Sequence, residues 1–220
     1  MNIESDRMLE SILDSLSKME YVKSSKIPNI DLYMDQVLTF MNGHLENAKR
    51  YESDKVMTKT MINNYAKNHL LPAPEKKKYT KEHIMVLMFI YYFKNILSIG
   101  DIQSILNPLT DRYFGKAGAA DLTAIYDEVF RYEEEEVEML KKDVAERYRM
   151  SQNTFEEVSE KDREFLQYFS FICMLSFDVY MKKQLIEKMI DELAMKTASA
   201  KEEAKKPDPK KEKGKSKESK

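Results

Sequence analysis

Residues 58–106 read TKTMINNYAKNHLLPAPEKKKYTKEHIMVLMFIYYFKNILSIGDIQSIL, and they contain the clearest structural pattern in the chain. Thr58 suits the N-cap of a helix running to about His69, because its hydroxyl can accept a hydrogen bond from a free backbone N–H. Helical spacing places threonine, asparagine and lysine on one face of this helix and four inward-facing residues on the other: Ile62, Tyr65, Ala66 and His69. Two leucines, a Pro-rich turn, three lysines and a tyrosine follow. This order predicts a short polar helix joined by a basic connection to an apolar one.

Two further helices are predicted after the basic connection. An apolar helix is expected over 81–97, and its uninterrupted apolar run, Ile84 to Phe93, is too short to cross a bilayer. It is therefore predicted to be a buried core helix. Ser98 and Asp101 have the spacing of a capping box, which predicts a short helix ending near Leu106.

Helical spacing continues on both sides of this stretch. The other predicted segments are helices at 5–19 and 31–45, loops at 46–57 and 107–120, a charged helix at 121–149, and a helix from the capping box of Ser159 and Asp162 to Met195. The Lys-rich remainder, 196–220, has no apolar pattern, which predicts a disordered tail.

The composition limits the class of protein. Charged residues make up 34% of the chain and glycines number only five, which favours an all-α fold over a sheet. The single cysteine excludes an internal disulfide, and the lack of a signal-peptide pattern predicts a cytoplasmic protein with no membrane partner. The three histidines are scattered without metal-ligand spacing. We therefore expect no metal, no cofactor and no enzyme activity.

The charges are unevenly distributed along the chain. The formal net charge is −2, yet 55–81 carries seven lysines and one glutamate, a net of +6. By contrast, 121–164 carries fifteen acids and seven bases, a net of −8. A basic island on an acidic chain predicts a single place of contact with a polyanion.

The polar helix has a face suited to the major groove of DNA. Asparagine can read adenine with two hydrogen bonds, and lysine can reach guanine or phosphate. The base-facing candidates are Thr60, Asn63, Asn64 and Lys67, and the phosphate-binding candidates are Lys76, Lys77 and Lys78. A solvated polar helix beside a solvated lysine loop is the alternative, and the residues alone leave both interpretations open.

Four strings in this stretch carry a family resemblance: Ile62-Asn63-Asn64-Tyr65, Leu70-Leu71-Pro72, Tyr79-Thr80 and Leu97-Ser98-Ile99. They resemble the winged helix of the mercury-resistance-regulator (MerR) type. The resemblance implies a recognition helix followed by a basic wing, with the helix at 31–45 packed before it across a longer loop. The implied DNA-binding residues are Thr58, Lys59, Thr60, Asn63, Asn64, Lys67, Lys76, Lys77, Lys78 and Tyr79.

A second resemblance covers more of the chain. IPNIDLYMDQVLTF (27–40), TKTMINNY (58–65) and KKKYTKEHI (76–84) are similar to a bacterial family known as domain of unknown function 1836. This resemblance extends over roughly 27–190. It implies a MerR-like helix-turn-helix followed by a helical C-terminal part.

We therefore divide the chain into an N-terminal helix and linker (1–26), a MerR-like winged helix-turn-helix (27–106), a helical bundle for dimerisation or effector binding (107–195) and the tail (196–220). The predicted function is DNA-binding transcription regulation as a homodimer. A helical protein-interaction or adaptor module that has lost DNA binding is the alternative.

The aromatic and Met-rich segment Phe165–Met181 also has two interpretations. It is predicted to be core or a dimer interface, with Cys173 as a buried thiol, and the alternative is a pocket for a small apolar effector.

Overall fold

This computed structural model describes the backbone of residues 3–16, 21–118 and 120–205. Over these ranges the chain is mostly helical, so the predicted all-α class is confirmed. The helices are α1 (Ile3–Leu16), α2 (Met34–His44), α3 (Lys59–Lys67), α4 (Lys81–Phe93), α5 (Ile99–Tyr113), α6 (Leu122–Val129), α7 (Glu133–Gln152) and α8 (Glu160–Lys205). Two short strands, β1 (Leu32–Tyr33) and β2 (Lys78–Tyr79), and 3-10 turns at Ser24–Lys26 and Glu46–Ala48 complete the described elements.

Helix α4 is the centre of the main core. Every residue from His83 to Tyr91 is buried, as expected of a helix that is apolar on all sides. Helices α5 and α6 contact it directly, and β2 leads into its first turn. The predicted core helix is confirmed, although it ends at Phe93 and not at Leu97.

The two strands join distant parts of the chain. Leu32 pairs with Tyr79 and Tyr33 pairs with Lys78, in antiparallel register. Because β1 leads into α2 and β2 leads into α4, this pairing fixes the starts of two helices relative to each other.

Helices α2 and α3 pack together across a long connection. Val37, Met41 and Ile62 are completely buried in the main core. The Asn42 side chain holds the end of the connection, donating to the Met57 carbonyl at 3.1 Å and accepting from the Met57 N–H at 3.3 Å. The predicted loop at 46–57 is therefore anchored at the end where α3 begins.

Helix α5 continues through Pro108 to Tyr113, so the predicted loop at 107–120 is wrong over its first seven residues. Proline cannot donate the helical hydrogen bond, which normally weakens a helix interior. Here Leu106 is buried and Leu109 packs against the core on the next turn. This packing is the physical reason why the helix does not end at the proline.

The long charged helix predicted at 121–149 is two helices, α6 and α7. At the break, the Phe130 ring lies 4.3 Å from the Tyr21 ring and 4.7 Å from the Tyr126 ring. The buried Glu133 accepts a hydrogen bond from the Tyr21 N–H at 2.5 Å. A continuous helix would carry these groups away from their partners.

Helix α8 begins directly after Ser159, as the capping box predicts, and the Ser159 hydroxyl lies 2.9 Å from Asp162 Oδ2. It extends to Lys205, ten residues beyond the predicted end. The predicted tail is therefore helical over 196–205, and its part at 206–220 lies outside the described residues. At the other end of the chain, α1 ends at Leu16, and 17–19 of the predicted helix also lie outside them.

A second, smaller core joins α1, α7 and α8. Val144, Tyr148 and Phe171 are buried in it. The segment Phe165–Met181 was predicted to be core or a dimer interface, and a core position is wrong for much of it, since Phe165 and Phe177 are 70% and 65% exposed. A dimer interface stays a prediction. The prediction of a buried Cys173 thiol is also wrong, because only one side of α8 faces α7 here and Cys173 is exposed. Among the described residues, no helix has both the length and the apolar character to cross a membrane.

Candidate nucleic-acid interface

Helix α3 presents the predicted polar face to solvent. The Thr58 hydroxyl accepts a hydrogen bond from the Met61 N–H at 3.2 Å and thereby caps the helix. Ile62 is buried, and Tyr65 and Ala66 are half-buried beside it. The side chains on the opposite side are all exposed: Lys59, Thr60, Asn63, Asn64 and Lys67. The division of faces inferred from helical spacing is therefore correct from Lys59 to Lys67.

The far end of α3 is fixed by a Schellman motif. His69 has a φ of 56°, the Leu70 N–H donates to the Tyr65 carbonyl at 2.8 Å, and the His69 N–H donates to the Ala66 carbonyl at 3.2 Å. Helix α5 reaches across to the same end, where Gln103 Nε2 donates to the Asn68 carbonyl at 2.6 Å. These contacts fix the orientation of the polar face of α3 relative to α5. His69, predicted on the inward face, is exposed because the chain reverses there.

The lysine connection forms a tight hairpin turn. The Lys78 N–H donates to the Glu75 carbonyl at 2.8 Å, and Lys76 and Lys77 have φ values of 48° and 65°. Two central residues with positive φ define a type I′ turn, which asparagine and glycine favour. Lysine pays a steric cost at both positions, and both side chains are exposed at the tip. Strain of this kind is concentrated at functional sites.

The base of the turn is built differently from its tip. Lys78 is half-buried, with Nζ 5.7 Å from the centre of the exposed Tyr33 ring. Tyr79 is only 4% exposed, and its ring meets His83 edge-on at 5.6 Å. The prediction that Tyr79 contacts DNA is therefore wrong for this conformation, because its side chain belongs to the core. Tyr33 is not among the predicted site residues. It lies at the site because strand pairing places it opposite Lys78.

His83 lies in the first turn of α4, shortly after the lysine turn. Its Nδ1 accepts a hydrogen bond from the Thr80 N–H at 3.0 Å, so it occupies the capping-box position usually held by Glu or Gln. Burial lowers the pKa of His83 to about 4, and the nearby carbonyls of Ala73 and Pro72 offset this only in part. No group in the described chain forms a well-aligned hydrogen bond with its Nε2. Because Nδ1 accepts the hydrogen bond from Thr80, the neutral ring carries its proton on Nε2. The Thr80–His83 spacing could have revealed this role.

Four lysines give the interface its charge. Lys59 and Lys67 lie on α3, and Lys76 and Lys77 lie at the turn. All four are exposed, and none forms an ion pair with another described residue. Several basic residues on α7 and α8 are instead paired, as Arg147 is with Asp143 and Asp178. The charge on α3 and the turn is therefore available to an external anion.

Other candidate sites receive less support. No group of three or more His, Cys, Asp or Glu side chains suited to a metal ion occurs in the described part of the chain. An open cavity of about 530 Å³ lies between α1, α7 and the start of α8, lined by Met8, Tyr148, Phe165 and Tyr168 together with polar side chains. A small apolar effector at this place stays a prediction.

The comparison with protein families bears on this region. Residues 22–129 match the family described as Domain of unknown function (DUF1836). The predicted resemblance to this family is thus supported here, although it was drawn over roughly 27–190. Searches of curated proteins and of solved structures gave no match to the chain.

The DUF1836 region contains every residue of the predicted interface. It runs from the segment before β1 through α6, so it also contains the paired strands and the core helix that hold α3 and the turn. Helices α7 and α8 lie outside the DUF1836 match.

Proposed function

We propose that this protein is a cytoplasmic, non-enzymatic regulator of transcription that binds DNA through a MerR-like winged helix and acts as a homodimer. The observation that carries the proposal is the pair formed by the polar face of α3 and the strained lysine turn. Both are exposed, both carry lysines without described ion pairs, and only residues 68–77 lead from the helix to the second lysine of the turn.

In this proposal α3 reads bases in the major groove. Thr60, Asn63 and Asn64 are short, so the helix backbone can approach base edges closely. An asparagine paired with adenine discriminates against the wrong base by about 1–3 kcal/mol. Lys67 at the far end of the face reaches guanine or phosphate.

The lysine turn holds the phosphate backbone in this proposal. Contacts to phosphate set the position of the protein on the duplex and carry no sequence information. Lys76 and Lys77 are exposed at the tip of the type I′ turn, which leaves both charges free to contact phosphate. The backbone N–H groups at the start of α3 offer a second place for a phosphate.

The arrangement of elements also supports a winged helix. Helices α2 and α3 form the packed pair, β1 and β2 form the base of the wing, and α4 follows the wing directly. The two strands at the base of this wing have two residues each.

The test begins with selection of duplexes from random DNA by the full chain. Binding of the selected duplex is then measured against salt for wild type and for Lys76→Ala/Lys77→Ala. The loss of two phosphate contacts should lower the salt slope by about 2 and weaken all sequences alike. Asn63→Ala/Lys67→Ala should instead relax sequence preference. Lys142→Ala/Lys196→Ala removes two exposed lysines, one from α7 and one from α8, and should change neither property.

A protein-interaction module is the second candidate. It is favoured by the large apolar side chains that α8 exposes and by the lack of arginine in α3 and the turn. If selection enriches no DNA and the salt slope is flat, the regulator proposal fails and this candidate replaces it.

A further inference from the structure

Helix α8 exposes an apolar face that nothing in the described chain covers. The exposed apolar side chains on this face are Phe165, Phe169, Ile172, Val179 and Tyr180. The opposite side of the same stretch packs against α7 and α1 through Phe171 and Leu175. Phe165 also lines the cavity between α1, α7 and α8, whereas the other four side chains form a surface separate from that packing.

The spacing of this face is that of a helix-pairing seam. Positions 165, 169, 172, 176 and 179 follow one another at alternating steps of four and three residues. This step pattern keeps one stripe of a helix facing a second helix. The occupant that fits is consequently another long helix with an apolar stripe.

The size of the face agrees with a stable interface. Fully exposed aromatic side chains present roughly 200 Å² each, and the side chains of this face are between 47% and 70% exposed. Together they present on the order of 600 Å². That is at the upper limit for the largest patch on a typical monomer and near the roughly 800 Å² that each partner buries in a standard interface.

The ends of the face carry larger side chains than its middle, where Ile172 has two small neighbours. Cys173 and Ser176 are small and permit close approach, whereas Phe165 and Phe169 lie on one side of them and Val179 and Tyr180 lie on the other. If two copies cross near Cys173 in opposite directions, the phenylalanines of one copy lie level with Val179 and Tyr180 of the other.

The charges along the helix select the same direction. The first turns of α8, 160–164, contain three acids and two bases, whereas 182–188 contain three lysines and one acid, with Lys182 and Lys183 also paired to Asp178 and Glu187. Parallel pairing would bring like charges together at each end. Antiparallel pairing instead brings the acidic end of one copy to the basic end of the other.

We propose that the partner of this face is a second copy of the chain, and that the two α8 helices pair antiparallel about a two-fold axis near Cys173. In this arrangement the homodimer of the proposed function is held together by α8, with the two helices antiparallel. It does not depend on DNA binding, since no residue of α3 or the turn takes part.

The surface is tested by sedimentation of the full chain. Wild type should be a dimer, and Phe169→Glu/Ile172→Glu should be a monomer with an unchanged helical circular-dichroism spectrum, because both side chains are exposed in the monomer. Met139→Glu is the matched control, since it changes an equally exposed apolar residue on α7 and should remain dimeric. A monomeric wild type, or a double variant that stays dimeric, overturns the proposal.

The direction is tested by distances between spin labels in the dimer. A label on Cys173 should give a short distance between copies. A label at Lys188→Cys, in a Cys173→Ser background, should give about 45 Å, because each copy carries it fifteen residues from the axis at roughly 1.5 Å per residue. Similar short distances at both sites would mean parallel pairing and would overturn the proposal. Failure to bind DNA would leave both measurements unchanged.

Discussion

At the tip of the lysine turn, Lys76 and Lys77 hold left-handed backbone conformations that asparagine and glycine adopt at lower cost. The sequence shows three lysines after a Pro-rich turn, and from this the place of the charge can be predicted. The backbone strain cannot be predicted in the same way, because it arises when the pairing of β1 with β2 closes the turn around these two residues.

Lys76→Asn/Lys77→Gly should therefore separate stability from binding. The free energy of unfolding should rise by about 1–2 kcal/mol, because the strain of the turn is relieved. Affinity for DNA should fall as it does in Lys76→Ala/Lys77→Ala, which removes the charge but keeps the strain. Urea unfolding measures the first effect and salt-dependent binding measures the second. Unchanged stability in the Asn–Gly variant would show that the turn stores no strain.

His83 should make stability depend on pH. Its pKa is about 4 in the folded chain and near 6.5 in the unfolded chain, so the unfolded state binds the proton first as the pH falls. The stabilisation is complete above pH 6.5 and is lost between 6.5 and 4, with an upper limit of roughly 3 kcal/mol.

His83→Gln keeps the capping-box geometry and should reduce this pH dependence. Unfolding by urea at several pH values from 4 to 7 gives the comparison with wild type. His44→Gln, which changes an exposed histidine, should behave as wild type does. Equal pH dependence in wild type and His83→Gln would contradict the prediction.

At the scale of elements, starts were easier to predict than ends. Thr58, Ser98 and Ser159 each precede a helix at the position where local capping places it. The continuation of α5 through Pro108 and the break at Phe130 depend on contacts with residues far along the chain. The spacing of apolar residues within a helix does not depend on those long-range contacts, so these helix ends could not be predicted from the sequence.

Pro108→Ala tests whether core packing keeps α5 helical through Pro108, which would otherwise weaken the helix. The variant restores a donor for the Ser104 carbonyl and should raise the free energy of unfolding by about 1–2 kcal/mol, less than the full cost of a helical proline because the unfolded chain gains freedom. Pro74→Ala, outside any helix, should show no such gain. A loss of stability in Pro108→Ala would mean that the proline positions Leu109 in the core.

At the scale of the whole molecule, the two proposals together predict bivalent binding. A symmetric dimer should recognise two inverted half-sites, and linking two binding events raises the apparent affinity by about 10²–10⁴. Phe169→Glu/Ile172→Glu should lose this gain on the two-site duplex and keep wild-type affinity for one half-site. Titration of each duplex with wild type and with the variant measures the two affinities. Equal losses on both would show that the variant damages α3 itself.

The pairing of β1 with β2 has a kinetic consequence. Leu32 and Tyr79 are 47 positions apart, and only two residues on each side make the pair. Closing so long a loop for so few contacts is unfavourable until α2, α3 and α4 have already packed. The β1–β2 pair and the lysine turn should accordingly be among the last parts to fold and the first to open. The amide of Lys78 should exchange with solvent deuterium well before those of α4, so the lysine tip can adjust to a bound surface while the core stays closed.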